Sequence, residues 1–345
     1  MYTLINDEEP HPKGRGMLRN PLANKKLSFL GLGCWRFGEK ENPGHSANPG
    51  KNYWNGQKRT DSLKIIDFAV SNGITHFDTA QAYGLGVSEQ TIGQRLKKTR
   101  DNVIIATKII PTLNNIDSIL KKINLSLKRL CTDYIDILYL HWPDKKYDIK
   151  FAVEALEKAR NLGMIKSIGI SNFSVPETQE ALGAGKIDFC QTGYNFLWQH
   201  REKDIIPFCI SNKISIIAYS FYSQGIFFKK DIETNNGILN SGRKDLVFFK
   251  KENIAIVKKI IAGLNDISLL SGYTIPQILI SWAKTKSWLT GVLVGASVKS
   301  QITESIHAMD VSVSNDIHHH LESLLLAARD ITDTQNIFAH NLGEQ

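Results

Sequence analysis

After residue 29 the alternation of apolar and polar positions settles into a regular rhythm. Short β-rich apolar runs occur at Leu30–Trp35, Ile74–Phe77, Val103–Thr107, Tyr134–Leu140, Ser167–Ile170, Asp188–Tyr194, Ile214–Ser220 and Gly291–Val294. Between them apolar residues recur at three- and four-residue spacing, as at Leu63, Ile66, Phe68 and Val70, or Ile116, Ile119, Leu120 and Ile123. Such short runs fit strands, and the longer period fits amphipathic helices. Strand alternating with helix implies right-handed crossovers and a parallel sheet. Eight strands within about 265 residues are the count and span of a (β/α)8 TIM barrel, an α/β fold. A doubly wound parallel sheet is the alternative.

The flanks read differently. Residues 1–16 are polar, with two prolines and two glycines, and predict an extended N-terminal arm. Leu18–Leu22 and Lys26–Phe29 predict a hairpin, so that residues 17–29 cap the barrel of residues 30–310. Residues 311–345 then supply a C-terminal helix, Ser314–Arg329, and a polar tail, and 1–345 is one domain. Two connections are long, 36–59 and 221–251, and both leave the C-terminal end of a strand. Loops of more than about 15 residues in a compact domain are functional covers or disordered segments. The chain shows no internal repeat beyond the β-α rhythm and no low-complexity tract. His318, His319 and His320 are consecutive helix positions, which fan around the axis and do not converge on a metal. No metal site is predicted.

Composition narrows the setting. At 42% hydrophobic and 22% charged, the chain has the make-up of a soluble globular protein with a sizeable core. No apolar run approaches the roughly 18 residues of a membrane span, and the N-terminus lacks the basic start and apolar core of a signal peptide. Cys34, Cys131, Cys190 and Cys209 are far apart, which favours reduced thiols and a cytoplasmic location. The formal net charge is +8, but the basic pairs are scattered. They read either as solvated helix faces or as a surface biased towards anionic small molecules. No nucleic-acid motif accompanies them, neither nucleic acid nor membrane is an expected partner, and no pattern specifies an oligomer.

The candidate chemistry sits at the strand ends. In a barrel enzyme the catalytic groups come from the C-terminal ends of several strands. Here the second run ends in Asp78, the third in Lys108 and the fourth in His141. The fifth ends in Ser171-Asn172, the sixth carries Gln191, and the seventh ends in Tyr219-Ser220; Tyr83 follows Asp78 in a glycine-bearing loop. Taken singly, each has an ordinary reading as turn chemistry, a helix cap or a solvent-facing lysine. Together they describe a proton-donating site. A tyrosine has a pKa near 10, and a neighbouring ammonium is expected to lower it. Asp78 would hold the Lys108 ammonium, and His141 would donate to a substrate oxygen. The set suits protonation of a carbonyl oxygen as it becomes an alkoxide. It contains no hydride donor of its own, which implies a nicotinamide cofactor.

With these residues in place the chain resembles the aldo-keto reductase family from about Met17 to Asp310. The run Phe77-Asp-Thr-Ala-x-x-Tyr-Gly-x-Gly-x-Ser-Glu89 matches one signature of that family, and residues 127–144, ending Leu-His-Trp-Pro-Asp, match a second. Gly169-Ile-Ser-Asn-Phe173, Gln191 and Ala218-Tyr-Ser220 also fit. The resemblance implies a (β/α)8 barrel binding NADPH/NADP, with NADH possible, across the strand mouths and without a glycine-rich dinucleotide fold. Gly31-Leu-Gly33 indeed does not continue as Gly-x-Gly-x-x-Gly. It further implies that Tyr83 is the proton donor, Lys108 its partner, Asp78 the anchor and His141 the group that orients the carbonyl. Ser171, Asn172 and Gln191 would hold the nicotinamide carboxamide, with the Tyr219 ring on its face. Ser220, Phe221 and Gly225 fall where the pyrophosphate loop begins, while Gly33 and Trp35 flank cofactor and substrate. At the adenosine end the chain departs from the family pattern. Gly295, Ser297, Lys299, Gln301 and Glu304 are followed by Ser305 where an asparagine is expected. Ser297 and Lys299 are the candidates for a 2′-phosphate.

The expected activity is therefore NADP(H)-dependent reduction of an aldehyde or ketone, a small-molecule carbonyl. Two other classes compete with it. One is a cofactor-sensing regulatory subunit of the same fold with little turnover, as among potassium channel β subunits. The other is a Schiff-base aldolase using Lys108, which an adjacent aspartate disfavours by keeping the amine charged. For the substrate side, Trp35, Tyr53, Trp54, Tyr83, His141 and Trp198 are candidates. Arg36, Phe37 and His45 share the 36–59 loop with Tyr53 and Trp54. The aromatic residues of the loop equally suit packing it down.

Overall fold

The computed structural model describes Leu22 and residues 25–37, 57–111, 114–144, 147–228, 246–331 and 337. Eight parallel strands close into a barrel in sequence order, β1 pairing with β8. They are β1 (Leu30–Gly33), β2 (His76–Asp78), β3 (Ile104–Ile109), β4 (Ile135–Leu140), β5 (Ile165–Ser171), β6 (Phe189–Gly193), β7 (Ser215–Tyr219) and β8 (Leu289–Val294). The doubly wound alternative is thereby excluded. Between the strands run α1 (Arg59–Ser71), α2 (Val87–Leu96), α3 (Ile116–Leu130), α4 (Ile149–Asn161), α5 (Val175–Leu182) and α6 (Ile205–Ser211). The last crossover holds two helices, α7 (Lys251–Ser271) and α8 (Ile275–Lys284), and α9 (Lys299–His307) and α10 (Asn315–Ala328) follow β8.

Local chemistry accounts for several helix starts. Asn115 and Asp148 each accept a backbone N–H of the first turn, at 3.1 and 2.9 Å. Ser174 with Glu177 and Thr274 with Gln277 form capping boxes, each with a proline in the first turn. Helix α3 buries Ile119, Ile123, Leu127 and Leu130, a stripe at helical spacing. In α1 the buried face is Ile65, Ile66 and Ala69 instead of the expected set; Leu63, Phe68 and Val70 are only half-buried. Leu63, Ile66 and Val70 share a stripe and Phe68 lies off it, but the buried arc is centred on Ser62, Ile65 and Ala69, so Ile66 at its edge is the one member of that group facing fully inward.

The barrel interior follows the period-two alternation of a strand. Ile104, Ala106, Ile137, Tyr139, Phe189, Ile217 and Leu293 form an inner cluster. Register sets Lys108 beside Tyr139, Tyr139 beside Gly169, and Ser171 beside Gln191. A Cβ on Gly169 would lie 2.3 Å from the Tyr139 ring, so the glycine makes room for a large side chain inside the barrel. One alternation nearer the C-terminal end the inward positions turn polar: Asp78, Lys108, Ser171 and Gln191. The core thus ends where the site begins.

Leu22 and Leu27 pack against the inner cluster, and Ser28 exchanges hydrogen bonds with Thr75. No strand forms over residues 25–28, and apart from Leu22 the other arm of the expected hairpin lies outside the described residues. Residues 1–16 also lie outside them. Beyond α10, which packs on α7, the chain is not uniformly polar: Ile331 and Ile337 are buried, and Val247 donates its N–H to the Ile337 carbonyl at 3.1 Å. Among the described residues no helix is long and apolar enough to cross a membrane.

Candidate active site

At the C-terminal end of the barrel lies a cavity of about 600 Å³. Its floor is a chain of short polar contacts. The Lys108 ammonium donates to Asp78 Oδ1 at 2.5 Å, to the Thr79 carbonyl at 2.9 Å and to Tyr83 Oη at 3.3 Å. Gln191 Nε2 donates to Asp78 Oδ2 at 2.7 Å. An ammonium has three N–H groups and no lone pair, and all three donors are engaged here, away from the cavity. That geometry opposes the Schiff-base reading. Lys108 is 1% exposed and sits beneath the cavity wall, whereas Asp78, Tyr83 and His141 line it.

Tyr83 is held in place from behind. Thr79 Oγ1 donates to Ser88 Oγ and Ser88 Oγ to the Cys34 carbonyl, both at 2.8 Å, which ties the loop carrying Tyr83 to β1 and α2. Glu89, wholly buried, accepts from Thr107 Oγ1 at 2.7 Å and from Arg129 at 3.3 Å. Between the tyrosine and α2, Gly86 has φ +96°, and a Cβ there would sit 2.2 Å from the Arg129 guanidinium. The glycine pattern in the 77–89 run therefore serves both a left-handed turn and a close approach.

The electrostatics depart from expectation at the tyrosine. Burial, followed by the Asp78 charge, pushes the Tyr83 phenol well above its ordinary pKa. The ammonium was expected to lower it, but its charge is already balanced by Asp78, and removal from water disfavours the phenolate more strongly. Tyr83 consequently holds its proton at neutral pH. Because Lys108 donates to Oη, the phenol's own O–H is left to point elsewhere. Burial and the Lys108 charge hold the His141 imidazole well below its usual pKa, so it is neutral. Its Nδ1 is buried without a hydrogen-bond partner, and its ring meets that of Tyr83 edge-on, centroids 5.8 Å apart.

The cofactor candidates on β5, β6 and β7 also converge. Asn172, at φ +67°, donates through Nδ2 to the His141 carbonyl and to Ser171 Oγ, both at 3.0 Å, and accepts from Tyr219 Oη at 2.6 Å. An asparagine tolerates this left-handed backbone better than other non-glycine residues. After β7 the chain is left-handed at Ser220 (+55°), Ser223 (+48°), Gln224 (+58°) and Gly225 (+83°). Within this tight turn the Ser223 and Gly225 N–H groups donate to the Ser220 and Tyr222 carbonyls at 2.7 and 2.8 Å, while Ser220, Gln224 and Gly225 line the cavity.

Of the residues expected at the site, Gly33, Trp35, Phe221, Gly295, Ser297, Gln301 and Glu304 line the cavity with those already described. Three groups differ. Tyr53 and Trp54 lie outside the described residues. Trp198 is 1% exposed, packed in the core against His200, and does not line the cavity, because the chain after β6 folds inward through Asn195 and carries the indole with it. The Lys299 ammonium lies 4.3 Å from the Phe68 ring centroid, towards α1, and Lys299 does not line the cavity either. Conversely, Ile110 and Trp142 line the wall near Tyr83 and His141 without having been singled out. Each follows the end of an inward-facing strand, the position that should have flagged it.

The aldo/keto reductase family model matches residues 29–325. The chain belongs to the aldo/keto reductase family. It is an oxidoreductase acting on carbonyl and alcohol groups. It is 30% identical over 312 residues to the NADH-specific methylglyoxal reductase of Escherichia coli, spanning 84% of this chain and 92% of that one. It is 28% identical over 291 residues to the aldo-keto reductase YhdN of Bacillus subtilis, 80% and 83% of the two chains. Among solved structures, a glycerol dehydrogenase from Gluconobacter oxydans superposes with a TM-score of 0.77 at 23% identity, over 91% of this chain and 95% of that one. This aldo-keto reductase thus carries the family fold, with Asp78, Lys108, Tyr83 and His141 gathered at the C-terminal end of its barrel.

Proposed function

We propose that this aldo-keto reductase reduces a small aldehyde or ketone with NADPH, Tyr83 giving its proton to the carbonyl oxygen. The supporting observation is the convergence of a protonated phenol and a neutral imidazole on one cavity wall, with a fully engaged ammonium beneath it. When bound, the nicotinamide supplies the hydride. The residues present suit such a dinucleotide: the polar turn Ser220–Gly225 on the cavity wall, the Tyr219 ring beside Asn172, and the Ser171 and Gln191 side chains lining the same cavity.

The protein's own part is to bind and orient. A carbonyl oxygen between Tyr83 and His141 would meet the phenol O–H and the neutral imidazole. As negative charge grows on that oxygen, Tyr83 transfers its proton, and the Lys108 donation to Oη stabilises the phenolate that forms. Asp78, fixed by Gln191, keeps the ammonium in register. Trp35, Ile110 and Trp142 form the substrate side and exclude water from the reacting oxygen. Its E. coli relative is named for methylglyoxal and NADH, so small dicarbonyls and both dinucleotides belong in the test panel. The experiment is NADPH oxidation followed by absorbance with purified protein and a panel of aldehydes and ketones. Turnover that disappears in Tyr83→Phe supports the reading. Turnover that survives in it refutes Tyr83 as the proton donor, whereas no turnover with any carbonyl while a partner protein co-purifies favours the cofactor-sensing subunit.

A further inference from the structure

Arg36 is the one arginine or lysine among the described residues that line the cavity. It does not come from the segment after β8, which carries Ser297 and Lys299, the two candidates expected for a 2′-phosphate. It sits in the single turn Trp35–Phe37 that follows β1, and from there its Nη1 donates to Ser297 Oγ beyond β8. Two contacts hold the turn: Phe37 is wholly buried, and Gln57 donates its N–H to the Arg36 carbonyl at 3.2 Å. On the other side, Ser297 donates its backbone N–H to Gln301 Oε1 at 2.7 Å. Arg36 and Ser297 therefore form a bridge between the first and last strands of the barrel, over the end of the cavity lined by α9.

That end carries two opposed chemistries. Glu304 lines it from α9 and suits a ribose hydroxyl, which it can accept, but repels an anion. A guanidinium offers planar, always-charged donors that match phosphate oxygens, and a serine hydroxyl that accepts from it keeps its own O–H to donate. Lys299, the other candidate for an anion, lies over Phe68 instead. We propose that Arg36, with Ser297, recognises the 2′-phosphate of NADPH and sets the preference for NADPH over NADH. This rests on the dinucleotide reading above. The cation at this end of the cavity therefore comes from the turn after β1, and the hydroxyl of Ser297, which follows β8, accepts from it.

Binding of NADPH, NADH and 2′,5′-ADP to the full chain tests this directly, read by quenching of tryptophan fluorescence and by calorimetry. Charge-assisted contacts to a phosphate predict that Arg36→Ala weakens NADPH and 2′,5′-ADP on the order of 10- to 100-fold. NADH should change by no more than about twofold, since it lacks the group the contact reads. Arg36→Lys should fall between, keeping the charge without the planar fork. The NADH arm and the ligand-free melting temperature report whether each variant is folded, and Arg36→Lys serves if the alanine variant is not. Unchanged NADPH affinity in Arg36→Ala overturns the assignment, as do equal losses for both dinucleotides, which would place Arg36 on the pyrophosphate. A larger loss in Lys299→Ala than in Arg36→Ala also overturns it. Wild-type protein that binds neither dinucleotide overturns the underlying reading and this one together, and so is distinguished from failure of the Arg36 assignment alone.

Discussion

His76 offers a quantitative test of the barrel interior. It lies on β2 two residues before Asp78, wholly buried, with Gly31 and Ile104 as its register partners. Neither ring nitrogen has a hydrogen-bond partner. Burial, partly offset by Asp78, lowers its pKa from 6.5 to about 4. The unfolded chain therefore takes up this proton at higher pH than the folded one. The neutral histidine costs nothing in linkage above pH 6.5; as pH falls from there towards 4 the unfolded state gains, and stability is lost at about 1.36 kcal/mol per unit. Between pH 7 and pH 5 the loss from this one group is about 2 kcal/mol. His76→Leu, similar in volume and unable to titrate, removes the term. Comparing melting temperatures of wild type and variant at each pH cancels the carboxylates common to both. For a domain of this size about 2 kcal/mol corresponds to a few degrees. The wild type should lose that much more than the variant on going from pH 7 to 5. Parallel curves would show that His76 is solvated or hydrogen-bonded, and that its burial is misjudged.

Other expectations follow from the site. Tyr83→Phe should lower turnover on the order of 10²- to 10⁴-fold, the range for a positioned general acid, and leave NADPH affinity within about twofold, measured by steady-state kinetics and fluorescence titration. Lys108→Met and Asp78→Asn should each destabilise by about 3–5 kcal/mol by stranding a buried partner, whereas the double variant should lose less than their sum; additive losses in urea unfolding would deny the coupling. Gly169→Ala should cost about 1–3 kcal/mol by pressing on the Tyr139 ring, read as a lower unfolding midpoint, with Tyr139→Leu in the same chain restoring part of it.

Much of this was legible before any coordinates. Strand ends are local: an apolar run that stops at Asp78, Lys108 or His141 marks its own terminus, and parallel β-α order then brings those termini to one end of the barrel. What depended on side-chain direction was less legible. Trp198 follows a strand, as Trp35 does, yet the turn through Asn195 takes it into the core. Lys299 and Arg36 carry the same charge, and only the packing of α9 against α1 and the buried Phe37 decide which of them reaches the cavity.

The 77–89 run shows the same division. The residue types that make up the proposed proton-donating site, and their order along the chain, are properties of the sequence alone, because each strand presents its last inward residue to the same mouth. The protonation states are not. Tyr83 lies above its ordinary pKa because the folded barrel removes it from water beside Asp78, while the balancing ammonium comes from another strand. Spacing along a chain carries no information about dielectric or about which charge is already neutralised, and those belong to the tertiary structure.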